Sequence, residues 1–482
     1  MEWGDYFGEL YAGASPILLA GVARDSRLAQ KGDALFAFDP RYVADGLSKG
    51  VKAVISFEKL PEEKRAPGVA YYRCDDLAGA FARSCAFFYA DAIEKKVAVT
   101  GTNGKTSVTW ILRELWERTG KKAVSVGTLG VINDGGEARV DVPLTTPDAA
   151  SLHKAFKRAG EEGAVRAVIE ASSHGLQQRR VAGCRFALGM FTNLTQDHLD
   201  YHKNFDAYFA AKCLLFDLLE PGAPMIANAD SPYFSRLQRV AKEKNAPIIS
   251  VGEASGADCR LISMRTEGAT QEMRFAYKGK EYGARMRLRG EFQCRNALYA
   301  LCAFTYVKDG SMEEAVAALA SVPDVPGRMQ CVAVQDGAAF YVDYAHTPDA
   351  LENALAGLRR ATQGSVVVVF GCGGDRDAGK RPIMGQIASR LADAIIVTDD
   401  NPRSEAPEAI RAEVLAGCDP SKTREIGDRR AAIAQAVKCA KPGDAVLIAG
   451  KGHEDYQEVM GTRSHFSDVE ETLRALKNGP HA

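Results

Sequence analysis

A glycine-rich segment, Thr100-Gly101-Thr102-Asn103-Gly104-Lys105-Thr106-Ser107, contains residue types that bind phosphate. It follows a short apolar run, residues 97–99, and precedes apolar residues that recur at the i, i+3, i+4 and i+7 positions of a helix. Glycines let backbone N–H groups surround phosphate oxygens, and the N-terminus of a helix adds partial positive charge. In such a turn, Lys105 can reach the outer phosphates and Thr106 can ligate Mg²⁺. The segment therefore predicts an ATP site with Mg²⁺.

One position departs from the general phosphate-loop pattern. That pattern has a glycine separated by four residues from the Gly-Lys pair, and this chain has Val99 there. A glycine turn in front of an ordinary helix is therefore an alternative interpretation of the segment on its own.

Two further polar segments follow apolar runs downstream. Glu170 closes the run 165–169, where its carboxylate could face the phosphate loop and hold Mg²⁺, although a helix cap or a solvated turn would use the same residue type. The run Ala187–Thr192 leads into Asn193–His202, which has two histidines and two aspartates within six residues. That cluster could also indicate zinc, but it has no cysteine and no third spaced histidine.

Lys212 lies within a mostly apolar helical pattern, Tyr208–Phe216. The ordinary interpretation is a surface lysine whose stem covers apolar neighbours. A buried lysine, by contrast, has a lowered pKa, and its neutral amine is nucleophilic. Such an amine can take up CO₂ and become an anionic carbamate, so the residue pattern leaves both interpretations open.

Three apolar strands in the last third of the chain are each followed by a polar turn that contains glycine or proline. The strands are 366–370, 394–397 and 445–449, and the turns read GCGGDRD, TDDNPR and GKGHED. Ligands of doubly wound folds bind beyond the carboxyl ends of the strands, so the three turns predict one shared site. Arg328 and the segment Asp343–Pro348 precede these strands and could bring charge to a nucleotide bound on the preceding region.

The elements that must position these residues indicate three α/β domains. Residues 1–90 form a small α/β segment, residues 91–325 alternate strand and helix patterns typical of a parallel sheet, and residues 326–482 have a Rossmann-like pattern. The second boundary falls in Val322–Arg328, where two prolines and a glycine in seven residues favour a linker.

Composition argues against several classes of protein. The formal net charge is −1, from 61 basic and 62 acidic residues, which gives no support to a nucleic-acid partner. No stretch of the sequence approaches the roughly 20 apolar residues of a membrane span, and the N-terminal residues do not have the pattern of a signal peptide. The 11 scattered cysteines indicate a reduced, cytoplasmic protein.

Taken together, these motifs resemble the Mur ligase family, the ATP-dependent enzymes that extend the peptide of bacterial cell-wall precursors. The resemblance covers essentially the whole chain, in family order and with family-like spacing. It rests on Gly101–Ser107, Glu170, Asn193-Leu-x-x-Asp197-His198, Lys212, Asn296, Arg328 and Asp343-Tyr-Ala-His346. It implies a three-domain α/β fold, with a uridine-nucleotide-binding domain at 1–90, a P-loop-type ATP-binding domain at 91–325 and a Rossmann-like amino-acid-binding domain at 326–482.

The resemblance also implies roles for individual residues. The implied catalytic residues are Lys105, Glu170, His198 and Lys212, the last as a carbamate (N6-carboxylysine). The implied metal ligands are Thr106, Glu170 and His198. The implied ATP-binding residues are Gly101, Thr102, Asn103, Gly104, Lys105, Thr106, Ser107, Asn296, Arg328, Asp343 and His346.

Within the family, the chain resembles the branch that adds the third amino acid of the peptide. Asp25-Ser26-Arg27 and Lys31–Phe36 are similar to that branch's uridine-binding segment, although Phe38–Gly46 is shorter and less family-like than usual. A second departure is Gly290-Glu291-Phe292-Gln293, where the family usually has Phe-Asn, while Asn296 is kept. The implied contacts to the UDP-MurNAc-L-Ala-D-Glu substrate are Ser26, Thr145, Thr146, Ser172, Gln178, Arg180 and carbamylated Lys212.

Asp400-Asn401-Pro402-Arg403 matches the signature of family members that select meso-diaminopimelate. An arginine fork binds a carboxylate through two hydrogen bonds, and lysine lacks the distal carboxylate that diaminopimelate carries. The resemblance adds Arg376, Gly450 and Glu454 to that pocket, with Glu454 facing the distal ammonium group. The nearest alternative is the same ligase acting on L-lysine or L-ornithine.

The implied reaction is phosphorylation of the D-glutamate side-chain carboxylate by ATP, followed by attack of the diaminopimelate amine on the acyl phosphate. The protein would act as a monomer, with small molecules as its only partners. Alternatives from other classes are a phosphate-loop kinase or nucleotide hydrolase, a binding protein without catalysis, and a folate polyglutamate ligase. The Asp-Ser-Arg segment argues against the folate ligase, and the presence of Lys105, Glu170 and Lys212 argues against the binding protein.

Overall fold

A computed structural model describes residues 4–13, 17–133, 138–140, 144–267 and 270–478. These residues form three β-sheets with helices packed against them, and one separate β-hairpin. The predicted α/β fold class is confirmed, and each sheet lies inside one of the three ranges predicted from the sequence. The domain boundaries themselves stay a prediction.

The first sheet is built from β1 (Glu9–Ala12), β2 (Val22–Ala23), β3 (Ala34–Ala37), β4 (Ala53–Ser56) and β5 (Ala70–Arg73). Its order is β1-β5-β4-β3-β2, with β1 antiparallel to β5 and the other pairs parallel. The accompanying helices are α1 (Gly4–Phe7), α2 (Val43–Ser48) and α3 (Leu77–Phe88), with 3₁₀ turns at Ser26–Leu28, Pro40–Tyr42 and Glu62–Lys64. Edge-to-face contacts of Phe36 with Phe7 and Phe81 help to fill its core.

Among the described residues, the second sheet has eleven strands. They are β6 (Lys95–Thr100), β7 (Ala123–Gly127), β8 (Gly130–Ile132), β9 (Ala138–Val140), β10 (Arg166–Glu170), β11 (Leu188–Phe191), β12 (Met225–Asn228), β13 (Ile248–Gly252), β14 (Cys259–Glu267), β15 (Thr270–Tyr277) and β16 (Lys280–Met286). Their order is β16-β15-β14-β13-β12-β11-β6-β10-β7-β8-β9. From β14 to β7 the neighbours are parallel, and antiparallel strands extend both edges. Because helices cover both faces, the central parallel strands have nearly unbroken apolar runs.

The helices of the second sheet form two layers. They are α4 (Lys105–Arg118), α5 (Ala149–Glu161), α6 (Ser173–Gln177), α7 (Leu199–His202), α8 (Phe205–Cys213), α9 (Phe234–Glu243), α10 (Glu291–Tyr306) and α11 (Met312–Leu319), with a 3₁₀ turn at Leu214–Leu218. The apolar residues of α4, α10 and α11 form one buried cluster, and those of α5, α8 and α9 form another.

The third sheet is built from β17 (Gln330–Gln335), β18 (Ala338–Asp343), β19 (Val366–Phe370), β20 (Ala394–Val397), β21 (Thr423–Glu425) and β22 (Ala445–Ala449). Its order is β17-β18-β22-β19-β20-β21, parallel except for β17. Its helices are α12 (Pro348–Ala361), α13 (Lys380–Leu391), α14 (Pro407–Leu415), α15 (Arg429–Cys439) and α16 (Asp468–Lys477). The separate hairpin consists of β23 (Tyr456–Val459) and β24 (Thr462–His465).

The strand–turn–helix prediction for the glycine-rich segment is confirmed, because β6 ends at Thr100 and α4 begins at Lys105. Val99 is fully buried within β6, where it pairs with Glu170 and Met190 on the two neighbouring strands. Residue 99 therefore still belongs to the strand and needs no glycine, which accounts for the departure from the general pattern. Within the described part of the chain, no helix is both long and apolar enough to cross a membrane.

Candidate active site

A cavity of about 440 Å³ lies between the second and third sheets. Its walls are formed by the turns after β6, β11 and β18 and by the first turns of α10 and α12. The predicted site residues that line it are Thr102, Asn103, Gly104, Lys105, Thr106, Ser107, Thr145, Glu170, His198, Asn296, Arg328, Asp343 and His346. The structure thus brings together residues that lie more than 200 positions apart in the chain.

The glycine-rich turn adopts a conformation that requires glycine at two positions. Gly101 has φ 141° and Gly104 has φ 87°, which are unfavourable for residues with a Cβ. A Cβ on Gly101 would collide with Thr192 Oγ1, and one on Gly104 would lie 2.6 Å from Asn296 Oδ1. The turn is also bound to the loop after β11, since the backbone N–H of Asn103 donates to Asn193 Oδ1 (2.9 Å).

Two lysine side chains converge on one carbonyl of this turn. Lys105 Nζ donates to the carbonyls of Gly101 (2.9 Å) and Thr102 (2.8 Å), and Lys212 Nζ donates to the Gly101 carbonyl (2.7 Å). Lys212 is 1% exposed, so it is a buried lysine rather than a surface one. Burial, followed by the charge of Lys105, holds the pKa of Lys212 well below its ordinary value. The side chain therefore meets the condition under which a lysine amine takes up CO₂.

The Glu170 carboxylate lies at the end of the cavity that is lined by the glycine-rich turn, called the phosphate end below. It is 1% exposed and accepts hydrogen bonds from Thr106 Oγ1 (3.0 Å), Thr128 N (2.8 Å) and Thr128 Oγ1 (3.0 Å). Arg328 Nη2 donates to Thr106 Oγ1 (3.2 Å) from the third sheet's side of the cavity. A hydroxyl and a carboxylate side by side are oxygen donors of the kind that Mg²⁺ prefers, so this pair fits that ion.

His198 lies on the cavity wall beside Asp197, with 3.3 Å between His198 Nε2 and Asp197 Oδ2. Its backbone has φ 54°, and burial lowers the pKa of its imidazole to about 4, so the ring is neutral at pH 7. Among the described residues, no three His, Cys, Asp or Glu side chains are grouped so as to hold a metal ion. A zinc site of the kind weighed from the sequence needs such a group.

The third sheet contributes several charged or polar groups to the cavity. The Arg328 guanidinium lies 4.4 Å from the centre of the Tyr344 ring. Asp343 accepts a hydrogen bond from Met329 N (2.6 Å), and burial raises the pKa of its carboxyl to about 6. His346 Nδ1 donates to the Tyr344 carbonyl (2.7 Å), and burial, followed by the charge of Lys380, lowers the pKa of that imidazole to about 4. The histidine is therefore neutral, with its Nδ1 proton fixed.

The three polar turns of the third sheet meet, as predicted, and the residues that they bring together are called the second pocket below. Arg403, after β20, has φ 52° and donates from Nη1 to the Gly374 carbonyl (2.7 Å) in the turn after β19. Asn401 Nδ2 donates to Glu454 Oε2 (2.9 Å) in the turn after β22. Gly450 approaches Asp400 so closely that a Cβ would collide with its carboxylate.

Other predicted members of this pocket differ in how they are held. The Asp400 carbonyl accepts from Gln457 Nε2 (2.8 Å), and Pro402 lies between the two anchored residues Asn401 and Arg403. Arg376, in the turn after β19, is exposed and donates to the neighbouring Asp375 carbonyl (3.4 Å), so its place in the pocket stays a prediction.

Tyr344 joins the cavity and the pocket. It lines the cavity, and its hydroxyl donates to Glu454 Oε1 (3.4 Å) in the pocket. The two sites therefore share a wall.

The residues predicted to contact the peptide form a connected chain of hydrogen bonds that begins at Glu170. Thr146 Oγ1 donates to the Glu170 carbonyl (2.7 Å) and accepts from Ser172 N (2.9 Å). Arg180 Nη1 donates to the Thr146 carbonyl (2.7 Å). Arg180 Nη2 donates to Gln178 Oε1 (2.6 Å), and the Thr145 hydroxyl can donate to Thr128 Oγ1 (3.3 Å), whose own proton goes to Glu170. Ser26 lies apart in the first sheet's unit, buried, with its carbonyl accepting from Lys49 Nζ (2.7 Å).

Three residues of these sites were missed from the sequence. Thr128 holds Glu170, and Asp349 Oδ2 accepts from Asn103 Nδ2 (2.6 Å) across the cavity. Neither lies in a recognisable motif, and an aspartate in the first turn of a helix ordinarily indicates a favourable dipole position. Lys451 lies in the GKGHED turn. The sequence pattern predicted this turn but assigned no role to the lysine.

Two family sequence models match the chain. The one described as "Mur ligase middle domain" matches residues 99–304, and the one described as "Mur ligase, glutamate ligase domain" matches residues 327–452. The first range contains the glycine-rich turn, and the second contains the first two polar turns and the start of the third.

Similar proteins extend over nearly the whole chain. A relative from Chelativorans sp. (strain BNC1), a UDP-N-acetylmuramoyl-L-alanyl-D-glutamate--2,6-diaminopimelate ligase, is 44% identical over 473 residues, which are 96% of each chain. A solved structure of a ligase with that name is 32% identical, with a TM-score of 0.71 over 99% of both chains. Mycobacterium tuberculosis folylpolyglutamate synthase, solved with ADP and AMPPCP, is 16% identical. It covers 83% of this chain and 95% of its own, with a TM-score of 0.66, and so shares the fold alone. From the matched domains and the full-length similarity, the chain belongs to the Mur ligase family.

Proposed function

We propose that this chain is an ATP-dependent ligase that joins meso-diaminopimelate to the D-glutamate side-chain carboxylate of UDP-MurNAc-L-Ala-D-Glu. The observation that carries the proposal is the shared wall at Tyr344. It puts a phosphate-binding cavity next to a pocket with an arginine and a glutamate. A full-length relative at 44% identity, whose name states this reaction, supports the same conclusion.

The chemistry needs two sites that adjoin. A carboxylate oxygen is a poor leaving group, so the carboxylate first attacks the γ-phosphorus of ATP, and ADP leaves. The diaminopimelate amine then attacks the acyl carbon, loses a proton, and inorganic phosphate leaves from the tetrahedral intermediate. The protein contributes mainly position and fixed charge.

The cavity residues suit the phosphate-transfer step. Lys105 and Arg328 bring positive charge to its phosphate end, where charge develops during transfer. Thr106 and Glu170 are the residues that would hold Mg²⁺, which neutralises phosphate charge when bound. His198 as a further metal ligand stays a prediction. Carbamylated Lys212 is part of the proposal, supported by its burial beside the turn.

The second pocket suits the distal end of diaminopimelate. Arg403 has its backbone fixed by bonds from its N–H to the Glu458 carbonyl (3.0 Å) and to its carbonyl from Met460 N (2.6 Å). One nitrogen of its fork is anchored on Gly374, which leaves the others for a substrate carboxylate. Lysine lacks that carboxylate and would leave the arginine unsatisfied, so the pocket favours diaminopimelate over lysine and ornithine.

The proposal includes a cytoplasmic location, where ATP is available, and action as a monomer.

The test is phosphate release from ATP and Mg²⁺ with UDP-MurNAc-L-Ala-D-Glu, offering meso-diaminopimelate, L-lysine and L-ornithine separately. We expect release with diaminopimelate and little with the other two. Release with another diamine alone would contradict the account of the Arg403 pocket. Phosphate release that does not depend on the amino acid offered would favour a nucleotide hydrolase.

A further inference from the structure

We propose that Lys451 is a positioning residue that makes the amino-acid pocket selective for a distal ammonium group. The inference deepens the proposed function and rests on it. Lys451 is the second residue of the turn after β22 and lies beside Asn401 and Glu454 of the pocket.

The lysine is fully buried and paired with pocket residues. It is 0% exposed, and its Nζ donates to Asn401 Oδ1 (3.0 Å) and lies 3.5 Å from Glu454 Oε2. The ring of Tyr456 lies 5.4 Å away. Burying an ammonium group costs free energy unless it is paired and hydrogen-bonded, so these contacts are what hold it there.

Lys451 and the Glu458 backbone N–H together fix the orientation of the Asn401 amide. Lys451 Nζ and the backbone N–H of Glu458 (2.9 Å) both need an acceptor, so Asn401 Oδ1 faces them. Asn401 Nδ2 must then point the other way, and it donates to Glu454 Oε2 (2.9 Å). A flipped amide would place two donors against Lys451 and an acceptor against a carboxylate.

Glu454 is thereby held through Oε2, and its Oε1 can accept a further hydrogen bond besides the one from Tyr344. Oε2 is bound by Asn401 and faces Lys451, whereas Oε1 is turned to the Tyr344 hydroxyl (3.4 Å) at the wall shared with the cavity. Oε1 is therefore the oxygen left to accept from a substrate ammonium group.

Arg403 is anchored independently of Lys451. Its backbone bonds to Glu458 and Met460, and its guanidinium bonds to the Gly374 carbonyl. Loss of Lys451 should then weaken recognition of the distal ammonium while recognition of the distal carboxylate persists. A merely structural lysine would affect both alike.

The experiment compares wild type with Lys451→Met, which keeps the length of the side chain without its charge. Steady-state phosphate release is measured with meso-diaminopimelate and with L-2-aminopimelate, which keeps the distal carboxylate but lacks the distal ammonium group. For Lys451→Met we expect KM for diaminopimelate to rise about tenfold to a hundredfold, as for a lost bond to a charged group, with kcat changed less than threefold. The kcat/KM for 2-aminopimelate should stay within about threefold of wild type. The matched control is Lys438→Met, an exposed lysine on α15, which should behave as wild type with both substrates.

A second variant, Lys451→Gln, keeps a donor for Asn401 and should show a smaller loss of the same selective kind. Equal losses with both substrates, no loss at all, or failure of both variants to fold would overturn the proposal. A wild type without any diaminopimelate-dependent release would instead overturn the proposed function, and this inference with it.

Discussion

At the scale of single residues, the site depends on charges held out of water, and Lys212 is the clearest case. Its amine is buried against the Gly101 carbonyl beside Lys105, and its pKa is depressed, which favours the uncharged amine that reacts with CO₂.

Lys212→Ala should lower kcat by about a hundredfold or more, and short carboxylates such as acetate or propionate should restore part of the activity by replacing the carbamate. Phosphate release with and without the added carboxylate measures this. Lys242→Ala, an exposed lysine on α9, is the control and should need no rescue. Failure of every short carboxylate to restore activity would count against the carbamate.

Asp343 gives the site a pH signature in stability. Burial raises the pKa of its carboxyl from 3.8 to about 6. Between those values the folded state binds more protons than the unfolded chain, so this group's contribution is present at low pH and is lost as pH rises through about 6. The total change is on the order of 3 kcal/mol.

The asparagine of the Asp343→Asn variant does not titrate, so the variant lacks this pH dependence of the free energy of unfolding. In urea unfolding at pH 4.5, 5.5, 6.5 and 7.5, the free energy of unfolding of wild type minus that of the variant should fall from pH 4.5 to 6.5 and then level off, because above about 6 both states have lost the proton. A difference that stays constant across this range would show that Asp343 is not held as described.

At the scale of elements, the turn between β6 and α4 sets the geometry of the phosphate site. A substitution of Gly101 tests this role of the turn. Its φ of 141° and the collision of a Cβ with Thr192 both oppose any side chain there. Gly101→Ala should raise KM for ATP at least about tenfold, because the loop must shift to accommodate the methyl group.

Gly120→Ala is a matched control on the far end of α4. Gly120 also has a positive φ, 79°, but nothing lies within 4 Å of an added Cβ. That variant should lose only stability, about 1 kcal/mol, with KM for ATP unchanged. Equal KM values for the two variants would refute the role of the Thr192 contact.

The elements also show what could be predicted from the sequence. Local signals sufficed for β6, α4 and the three strands before the polar turns, because apolar periodicity and glycine placement report on neighbours in the chain. Thr128 and Asp349 escaped prediction because their partners are remote, and Lys451 because its hydrogen-bond partner Asn401 lies 50 residues away. Asn103 and Asp349 are 246 residues apart, and no local pattern records such a contact.

At the scale of the whole molecule, the cavity exists only where the second and third sheets meet. Asn103 donates to Asp349, Arg328 donates to Thr106, and Arg360 donates to Glu291 (2.6 Å), all between residues of different sheet units. In the proposed reaction, such contacts would keep water away from the acyl phosphate while the amine attacks.

Asp349→Ala removes one of these contacts and frees the Asn103 amide. We expect KM for ATP to rise about tenfold, with each unit still folded by circular dichroism. Glu352→Ala, on the same helix, removes only a surface ion pair with Arg390 within the third unit and should leave KM unchanged. The account of the interface would fail if the two variants had the same KM for ATP.

The central claim is that one chain activates a carboxylate with ATP and passes it to diaminopimelate at the shared wall. The most direct measurement uses UDP-MurNAc-L-Ala-D-Glu labelled with ¹⁸O in the glutamate side-chain carboxylate, with ATP, Mg²⁺ and meso-diaminopimelate, followed by mass spectrometry of both products. The account predicts one labelled oxygen in the released phosphate for each tripeptide formed, because that oxygen bonds to phosphorus before the amide forms. Tripeptide formed with unlabelled phosphate, or phosphate released without tripeptide, would contradict it.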